Sequence, residues 1–226
     1  MKKEIRKTGL FALIGLVGIL SSCGGDSSVT SASGAGPSST KPSSVAPSTS
    51  EPDPVGGGEY TFEAEYTDVS NLSGGGISGA AVGINMILQS GNASNGWYIG
   101  YTHKKGLAIT FEITSSAAAK ADLTLVLGTE LGPMVMNPTS YEITVNGTDV
   151  NYTEFSIRAN SSQIGTDFRE YAITPQIDLV EGVNTLVFTT GENTYCNGGP
   201  GGPLFDAIKL DTTSTLTWEP IEDNIA

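Results

Sequence analysis

The sequence predicts an all-β protein: a single β-sandwich domain behind a signal peptide and a disordered linker. Short segments in which apolar and polar residues alternate recur between residues 59 and 213, separated by turns of Gly, Pro, Asn and Ser. This period of two is typical of β-strands. No convincing amphipathic helix interrupts them, since the best candidate, residues 115–121, is too short. Eight or more short strands in a domain of this size favour a sandwich over a barrel.

The predicted strands share the alternation of apolar and polar residues. In the first, residues 60–66, the apolar face would carry Tyr60, Phe62, Ala64 and Tyr66. The others are residues 108–113, 122–127, 141–145, 148–152, 169–177, 184–190 and 204–210. Asn146-Gly147 joins two of these segments and is a strong hairpin signal. Residues 214–226 form a tail with Trp218, which either packs back on the domain or points to a neighbouring one.

Residues 1–22 are predicted to be a signal peptide. Four basic residues and one acid in residues 1–7 precede an uncharged apolar run, residues 9–20, which is the pattern of an export signal. The run is about half as long as a membrane-spanning helix requires. The sequence Leu-Ser-Ser-Cys that ends at Cys23 resembles the lipobox of bacterial lipoproteins. This resemblance implies that Cys23 is lipidated and that the protein is an extracytoplasmic lipoprotein anchored at the cell surface; the alternative is an ordinary signal peptide with a chance cysteine.

The composition of the linker and the net charge of the chain limit the kinds of partner that we expect. Residues 23–58 consist almost entirely of small, polar and proline residues, a composition that predicts a disordered tether from the lipid anchor. Without residues 1–22, the chain keeps 7 of its 11 basic and 23 of its 24 acidic residues, a formal charge of −16. An acidic surface disfavours nucleic acid and anionic membranes as partners. It is compatible with neutral ligands or bound cations, and a monomer is expected.

The sequence offers few cysteine and histidine residues for a disulfide, a zinc site with two histidine ligands or a catalytic triad. Cys196 is the only cysteine besides Cys23, so no intrachain disulfide is expected once Cys23 carries a lipid. His103 is the only histidine, which excludes a zinc site with two histidine ligands. His103 stands in a turn-like segment, and no nucleophile elbow accompanies it. The sequence therefore predicts that the protein is not an enzyme.

Three acidic residues stand out as candidate metal ligands. Glu63 and Glu65 are two apart in a predicted strand, which would place both carboxylates on one face, about 7 Å apart. Asp206 lies among apolar residues, where a lone carboxylate would be costly to bury. Such oxygen ligands suit calcium. Alternatively, the two glutamates face solvent and Asp206 pairs with Lys209 or an arginine. Glu63 and Glu65 also fit the spacing of a glycosidase pair, but a metal site uses them better.

Residues 59–211 resemble the carbohydrate-binding modules of families 6 and 35. The motifs that carry the resemblance are Glu-Ala-Glu at residues 63–65, Trp-Tyr-Ile-Gly-Tyr at 97–101, Asp-Phe-Arg-Glu-Tyr at 167–171, the segment 177–188 and Phe-Asp-Ala-Ile-Lys-Leu at 205–210. The resemblance implies a jelly-roll sandwich. It also implies a structural calcium ion held by Glu63, Glu65 and Asp206.

The resemblance further implies a sugar cleft between loops at one end of the sandwich. Tyr101 and Phe168 match the aromatic positions that enclose the sugar ring, and Trp97 is a further aromatic candidate. Leu204 stands where the family has an asparagine. Asn197, in the long loop before the last strand, could supply the missing amide, as could Asn193. The alternative for each aromatic residue is packing in the core.

The predicted function is non-catalytic carbohydrate binding at the cell surface, with a structural calcium ion. The alternative is a surface adhesion or structural domain without a sugar site.

Overall fold

The computed structural model describes residues 56–74, 81–129, 132–158, 167–191, 195–196, 199–200 and 202–225. The signal peptide, Cys23, the linker and Asn197 lie outside these residues. Within them, no helix is long and apolar enough to cross a membrane.

Most of the described strands form two antiparallel sheets. The strands of sheet A are β1 (Gly58–Glu63), β2 (Ile87–Gln89), β3 (Trp97–Ile99), β5 (Ala119–Gly128), β10 (Arg169–Leu179) and β14 (Leu204–Thr212). Their order in the sheet is β10-β5-β14-β3-β2, with β1 paired to β14. The strands of sheet B are β4 (Ala108–Ser115), β7 (Tyr141–Val145), β8 (Thr148–Asp149), β11 (Gly182–Thr190) and β15 (Leu216–Trp218). Their order is β15-β4-β11-β7-β8. Two small ladders pair β6 (Met134–Met136) with β9 (Phe155–Ile157) and β12 (Tyr195–Cys196) with β13 (Gly199–Pro200).

The two sheets pack face to face around one apolar core, which confirms the predicted β-sandwich. Phe111 of β4, Phe188 of β11 and Phe205 of β14 are fully buried. Their ring centroids lie 5.3 to 6.1 Å apart, so the rings of sheet B interlock with a ring of sheet A. Burial of rings of this size accounts for much of the hydrophobic stabilisation of a sandwich.

The hairpin predicted at Asn146-Gly147 joins β7 and β8. Asn146 has φ 52° and Gly147 has φ 75°, and two successive positive φ angles are what a two-residue hairpin turn of type I′ requires. Asn and Gly adopt these angles at the least steric cost, so the local sequence determines this turn.

The first strand is shorter than predicted. β1 ends at Glu63, and Ala64–Tyr66 form a 3₁₀ turn. The backbone nitrogen and the hydroxyl of Thr67 both donate to the carbonyl of Ala64, at 3.1 and 2.7 Å, and these bonds close the turn. The prediction that Glu63 and Glu65 leave one face of a single strand is therefore wrong, because only Glu63 lies in the strand.

The C-terminal tail packs on the domain. β15 pairs with β4 along residues Leu216–Trp218. The ring of Trp218 lies 5.6 Å from that of Phe62 and 6.1 Å from that of Phe111. The tail then ends in a 3₁₀ turn, Glu222–Ile225.

Candidate functional site

A β-bulge places Asp206 at the junction of three strands. On one side of β14, Phe205 pairs with Leu127 and Ala207 with Val126, which leaves Asp206 as the extra residue. On the other side, pairing with β1 ends at Ala207, and β3 contacts the strand at Phe205. A bulge changes the direction of a side chain and is common beside functional sites. Here it allows a carboxylate within an apolar strand to reach the gap between β1 and β3.

Three carboxylates converge on the loop of residues 90–96, which joins β2 to β3. The backbone nitrogen of Ser94 donates to both oxygens of Asp206, at 3.2 and 3.1 Å. The hydroxyl of Ser94 donates to Oε2 of Glu63 at 2.5 Å. Nδ2 of Asn95 donates to Oε1 of Glu65 at 3.1 Å. We call Glu63, Glu65 and Asp206 the acidic site.

Burial makes the negative charges of the acidic site unfavourable. Glu65 is 0% exposed and Asp206 is 1% exposed. Burial raises the pKa of Glu65 to about 7 and that of Asp206 to about 6, and it raises the pKa of Glu63 as well. The charge of Glu63 raises the pKa of both other groups further. Buried carboxylates of like charge need a positive partner or a proton.

Lys209 is not the direct partner that the acidic site lacks. Its ammonium group makes ion pairs with Glu170 at 2.7 Å and Glu59 at 3.3 Å. Its charge lowers the pKa of Glu63, but less than burial raises it. In the part of the chain that the structure describes, the closest partners of the three carboxylates are thus neutral hydrogen-bond donors.

The donor set fits calcium in its chemistry. Oε2 of Glu65 is the buried side-chain oxygen, among the described residues, that has no hydrogen-bond partner. An unpaired buried carboxylate oxygen is costly unless a cation or a proton satisfies it. The ligand atoms are all oxygens, as calcium prefers. Within the described ranges, no three His, Cys, Asp or Glu side chains are arranged to hold a metal ion as they stand, so backbone carbonyls or water would have to complete the shell.

Tyr101 is held in a backbone conformation that a tyrosine rarely adopts. It lies two residues after β3 and has φ 58°, in the left-handed region. A Cβ atom at Gly74 would lie 2.7 Å from Cβ of Tyr101, so only glycine allows this close approach. The ring is half-buried and meets the ring of His103 edge-on at 6.5 Å. Such strain persists where the surrounding structure imposes it, and it is frequent at functional sites.

Phe168 belongs to a second apolar cluster. Its ring lies 5.1 Å from that of Tyr98, and both pack with Leu204. The neighbours of Tyr98 and Leu204 in their strands, Ile99 and Phe205, point into the main core. Because side chains alternate along a strand, this outer cluster lies on the opposite face of sheet A. Its members are Leu88, Ala93, Tyr98, Phe168 and Leu204.

Tyr101, Phe168 and Leu204 lie at the same end of sheet A. The register places the ends of β3 and β5 beside the starts of β10 and β14. The rings do not meet each other: among the described residues, Tyr101 has its ring contact with His103 and Phe168 with Tyr98. Trp97 packs partly buried against the main core, and Asn197 lies outside the described residues.

Leu204 is a packing residue. It is 3% exposed and lies in the outer cluster with Phe168. The asparagine of the family at this position would have to bury its amide among apolar side chains, so the leucine matches its surroundings here. The side chain of Leu204 can therefore offer no hydrogen bond at this end of the sheet.

Ser94 and Asn95 are site residues that the sequence did not single out. Their segment, Ser-Gly-Asn-Ala-Ser-Asn-Gly at 90–96, has only the composition of a turn. Asp206, the partner of Ser94, is 112 residues away from it in the chain, and Glu65, the partner of Asn95, is 30 residues away. A solved structure of a relative with an identified site would have been needed to recognise Ser94 and Asn95 in the sequence.

Comparisons with known proteins find similarity in structure. No protein-family model and no curated protein match the chain. A family 35 carbohydrate-binding module from Cellvibrio japonicus Abf62 is 12% identical, with a TM-score of 0.45, over 71% of this chain and 97% of that one. One from an environmental isolate is 16% identical, with a TM-score of 0.49, over 71% and 97%. One from Paenibacillus barcinonensis is 21% identical, with a TM-score of 0.44, over 71% and 99%. All three are modules of family 35, one of the two families that the sequence motifs resemble.

Proposed function

We propose that the domain is a non-catalytic carbohydrate-binding module with a structural calcium ion. The observation that carries the sugar site is Tyr101, a half-buried aromatic residue held at φ 58° at one end of sheet A. The observation that supports the calcium site is the partnerless Oε2 of Glu65 in a buried cluster of carboxylates.

Glu63, Glu65 and Asp206 would hold the calcium ion. Calcium would supply positive charge to carboxylates that burial otherwise drives toward protonation. The hydroxyl of Ser94, which now donates to Glu63, offers lone pairs to a cation once its hydrogen turns away. Because the three acids come from β1, the following turn and β14, their joint binding would add a further link between β1 and β14, which already pair in sheet A.

Tyr101 and Phe168 would contact the sugar. The C–H groups on one face of a sugar ring pack on an aromatic face, while its hydroxyl groups need polar partners. Tyr101 and Phe168 are both half-buried, so each presents part of its ring at the same end of sheet A. Trp97 and Asn197 remain secondary candidates, with Asn197 as the proposed amide in place of Leu204.

The ligand class that we propose is a neutral glycan. Without residues 1–22 the chain has a formal charge of −16, which repels acidic polymers. Arg169, beside Phe168, already binds the carboxylate of Asp167. The guanidinium group of Arg169 beside the proposed cleft is thus already paired with a carboxylate of the chain.

A glycan panel tests this function. The full-length protein in detergent, with calcium present, is titrated with neutral polysaccharides and with a disaccharide containing glucuronic acid, the ligand named for one similar family 35 module. We expect binding to a neutral glycan. Absence of binding to every member would favour the adhesion or structural alternative, and binding to the acidic disaccharide alone would contradict the proposed ligand class.

We also propose that Cys23 anchors the protein as a lipoprotein at the cell surface. The export pattern of residues 1–22 and the lipobox-like end of this segment support the proposal. Two or more acyl chains give stable membrane attachment. Replacement of Cys23 by serine should release the protein from membranes or leave it uncleaved. Wild-type protein with an unmodified N-terminus in the medium would contradict the anchor.

A further inference from the structure

The C-terminal tail binds three successive carbonyl groups of the turn that carries Glu65. Nδ2 of Asn224 donates to the backbone oxygens of Glu65 and Thr67, both at 2.8 Å. The backbone nitrogen of Ile221 donates to the carbonyl of Tyr66 at 2.9 Å. The backbone acceptors of residues 65–67 are thus all occupied by residues more than 150 positions later in the chain.

The tail is itself fixed before it reaches this turn. β15 pairs with β4 up to Trp218 and Ile113. The Trp218 ring packs against Phe62, in β1, and lies 6.5 Å from the ring of Tyr66. Asn224 then follows within the last 3₁₀ turn. The pairing of β15 and the contact of the Trp218 ring therefore position the amide of Asn224 beside the turn that carries Glu65.

The turn that carries Glu65 needs such support. No side chain caps its start, and its own closing bonds come from Thr67 alone. The charges of Glu63 and Asp206 act against a charged Glu65 and would push its carboxylate away. Bonds to the backbone on both sides of Tyr66 resist that displacement without using the carboxylate oxygens.

We propose that Asn224 is a positioning residue that holds Glu65 in the acidic site, so that the C-terminal tail sets the affinity of the domain for calcium. The inference rests on the proposed calcium site. A residue that orients a metal ligand from behind typically contributes 10- to 100-fold to affinity, and we expect an effect at the lower end because the ligand carboxylate keeps its bond to Asn95.

Calcium titration by calorimetry tests the inference on the full-length protein in detergent. Asn224→Ala should weaken calcium binding about tenfold. Asn224→Gln, which keeps the amide donor, should recover part of the loss. Asn85→Ala is the matched control: Asn85 also lies in a 3₁₀ turn and donates to a carbonyl, that of Val82, but outside the acidic site. It should leave the affinity unchanged.

The outcomes separate the inference from the function on which it rests. Wild-type protein that binds no calcium would overturn both. Calcium binding that is equally tight in wild type and Asn224→Ala would overturn only the role of Asn224, and a lower melting temperature of the metal-free variant at unchanged affinity would show a purely structural role. Should Asn224→Ala not fold, Asn224→Ser, which keeps one donor, gives the same comparison.

Discussion

Removal of calcium is expected to lower the melting temperature of the domain by about 5–10 °C. Calcium at about a hundred times its Kd would stabilise the native state by about 2.7 kcal/mol, which corresponds to such a shift in a domain of this size. The physical reason is that Glu65 and Asp206 are buried carboxylates without a cationic partner in direct contact among the described residues. Scanning calorimetry with calcium and with a chelator measures the difference.

Substitutions within the acidic site should abolish this difference. Glu65→Gln and Asp206→Asn keep the shape of each side chain but remove the charge that calcium requires. Glu59→Gln is the matched control, because Glu59 lies in the same strand as Glu63 and is exposed in an ion pair with Lys209. The control should retain the full shift. Equal melting temperatures of metal-stripped and calcium-loaded wild type would contradict the proposed site.

The stability of the metal-free protein should depend on pH with a defined sign. The pKa of Glu65 is raised to about 7 and that of Asp206 to about 6, from ordinary values of 4.5 and 3.8. The folded state therefore binds these protons more tightly than the unfolded state. Their contribution is complete below the ordinary values and is lost as the pH rises through 6 to 7. In chelator the melting temperature should thus fall between pH 5 and pH 8, and the calcium-dependent shift should grow over the same range because protons compete with calcium.

Removal of the Tyr101 ring is expected to weaken sugar binding by about 1–3 kcal/mol, or about 5- to 150-fold in Kd. The best variant is Tyr101→Gly, because φ 58° is favourable for glycine and strained for alanine. Loss of binding would then not be caused by new backbone strain. Calorimetric titration with the glycan identified in the panel gives the change in Kd.

Two further variants test whether the loss of sugar affinity is caused by removal of the aromatic ring and whether it is specific to position 101. Tyr101→Phe retains the ring and should bind within a few-fold of wild type if stacking dominates. Tyr60→Ala removes a half-buried aromatic residue of β1 that lies away from the proposed cleft, opposite Leu210. It should leave the affinity for sugar unchanged. Unchanged binding by Tyr101→Gly would place the sugar on another surface of the domain.

The Tyr101 variants should leave the calcium-dependent shift in melting temperature unchanged. Phe168→Ala, in contrast, should reduce that shift. Phe168 packs in the outer cluster with Ala93, which precedes Ser94 in the loop that binds the acidic site. Loss of that ring is therefore expected to loosen the loop. Tyr101 packs against the main core instead.

The sequence by itself located the longer strands of the two sheets and the faces that they bury. Alternation with a period of two is a local property, so β4, β7 and β11 could be located without knowledge of their partners. The Asn-Gly turn was equally local. The family motifs, in turn, pointed to the acidic and aromatic candidates as separate positions in the chain.

Only the tertiary structure decided how these candidates meet. The bulge at Asp206, the end of the first strand at Glu63 and the loop of Ser94 are set by contacts between segments far apart in the chain. The tail contributes Asn224 from 159 residues beyond Glu65. A local pattern cannot encode such partners, because the backbone groups of a turn are satisfied by whichever donor the fold brings to them. The alternation that continued through Glu65 therefore predicted a strand, and the donors from Thr67 and the tail made it a turn.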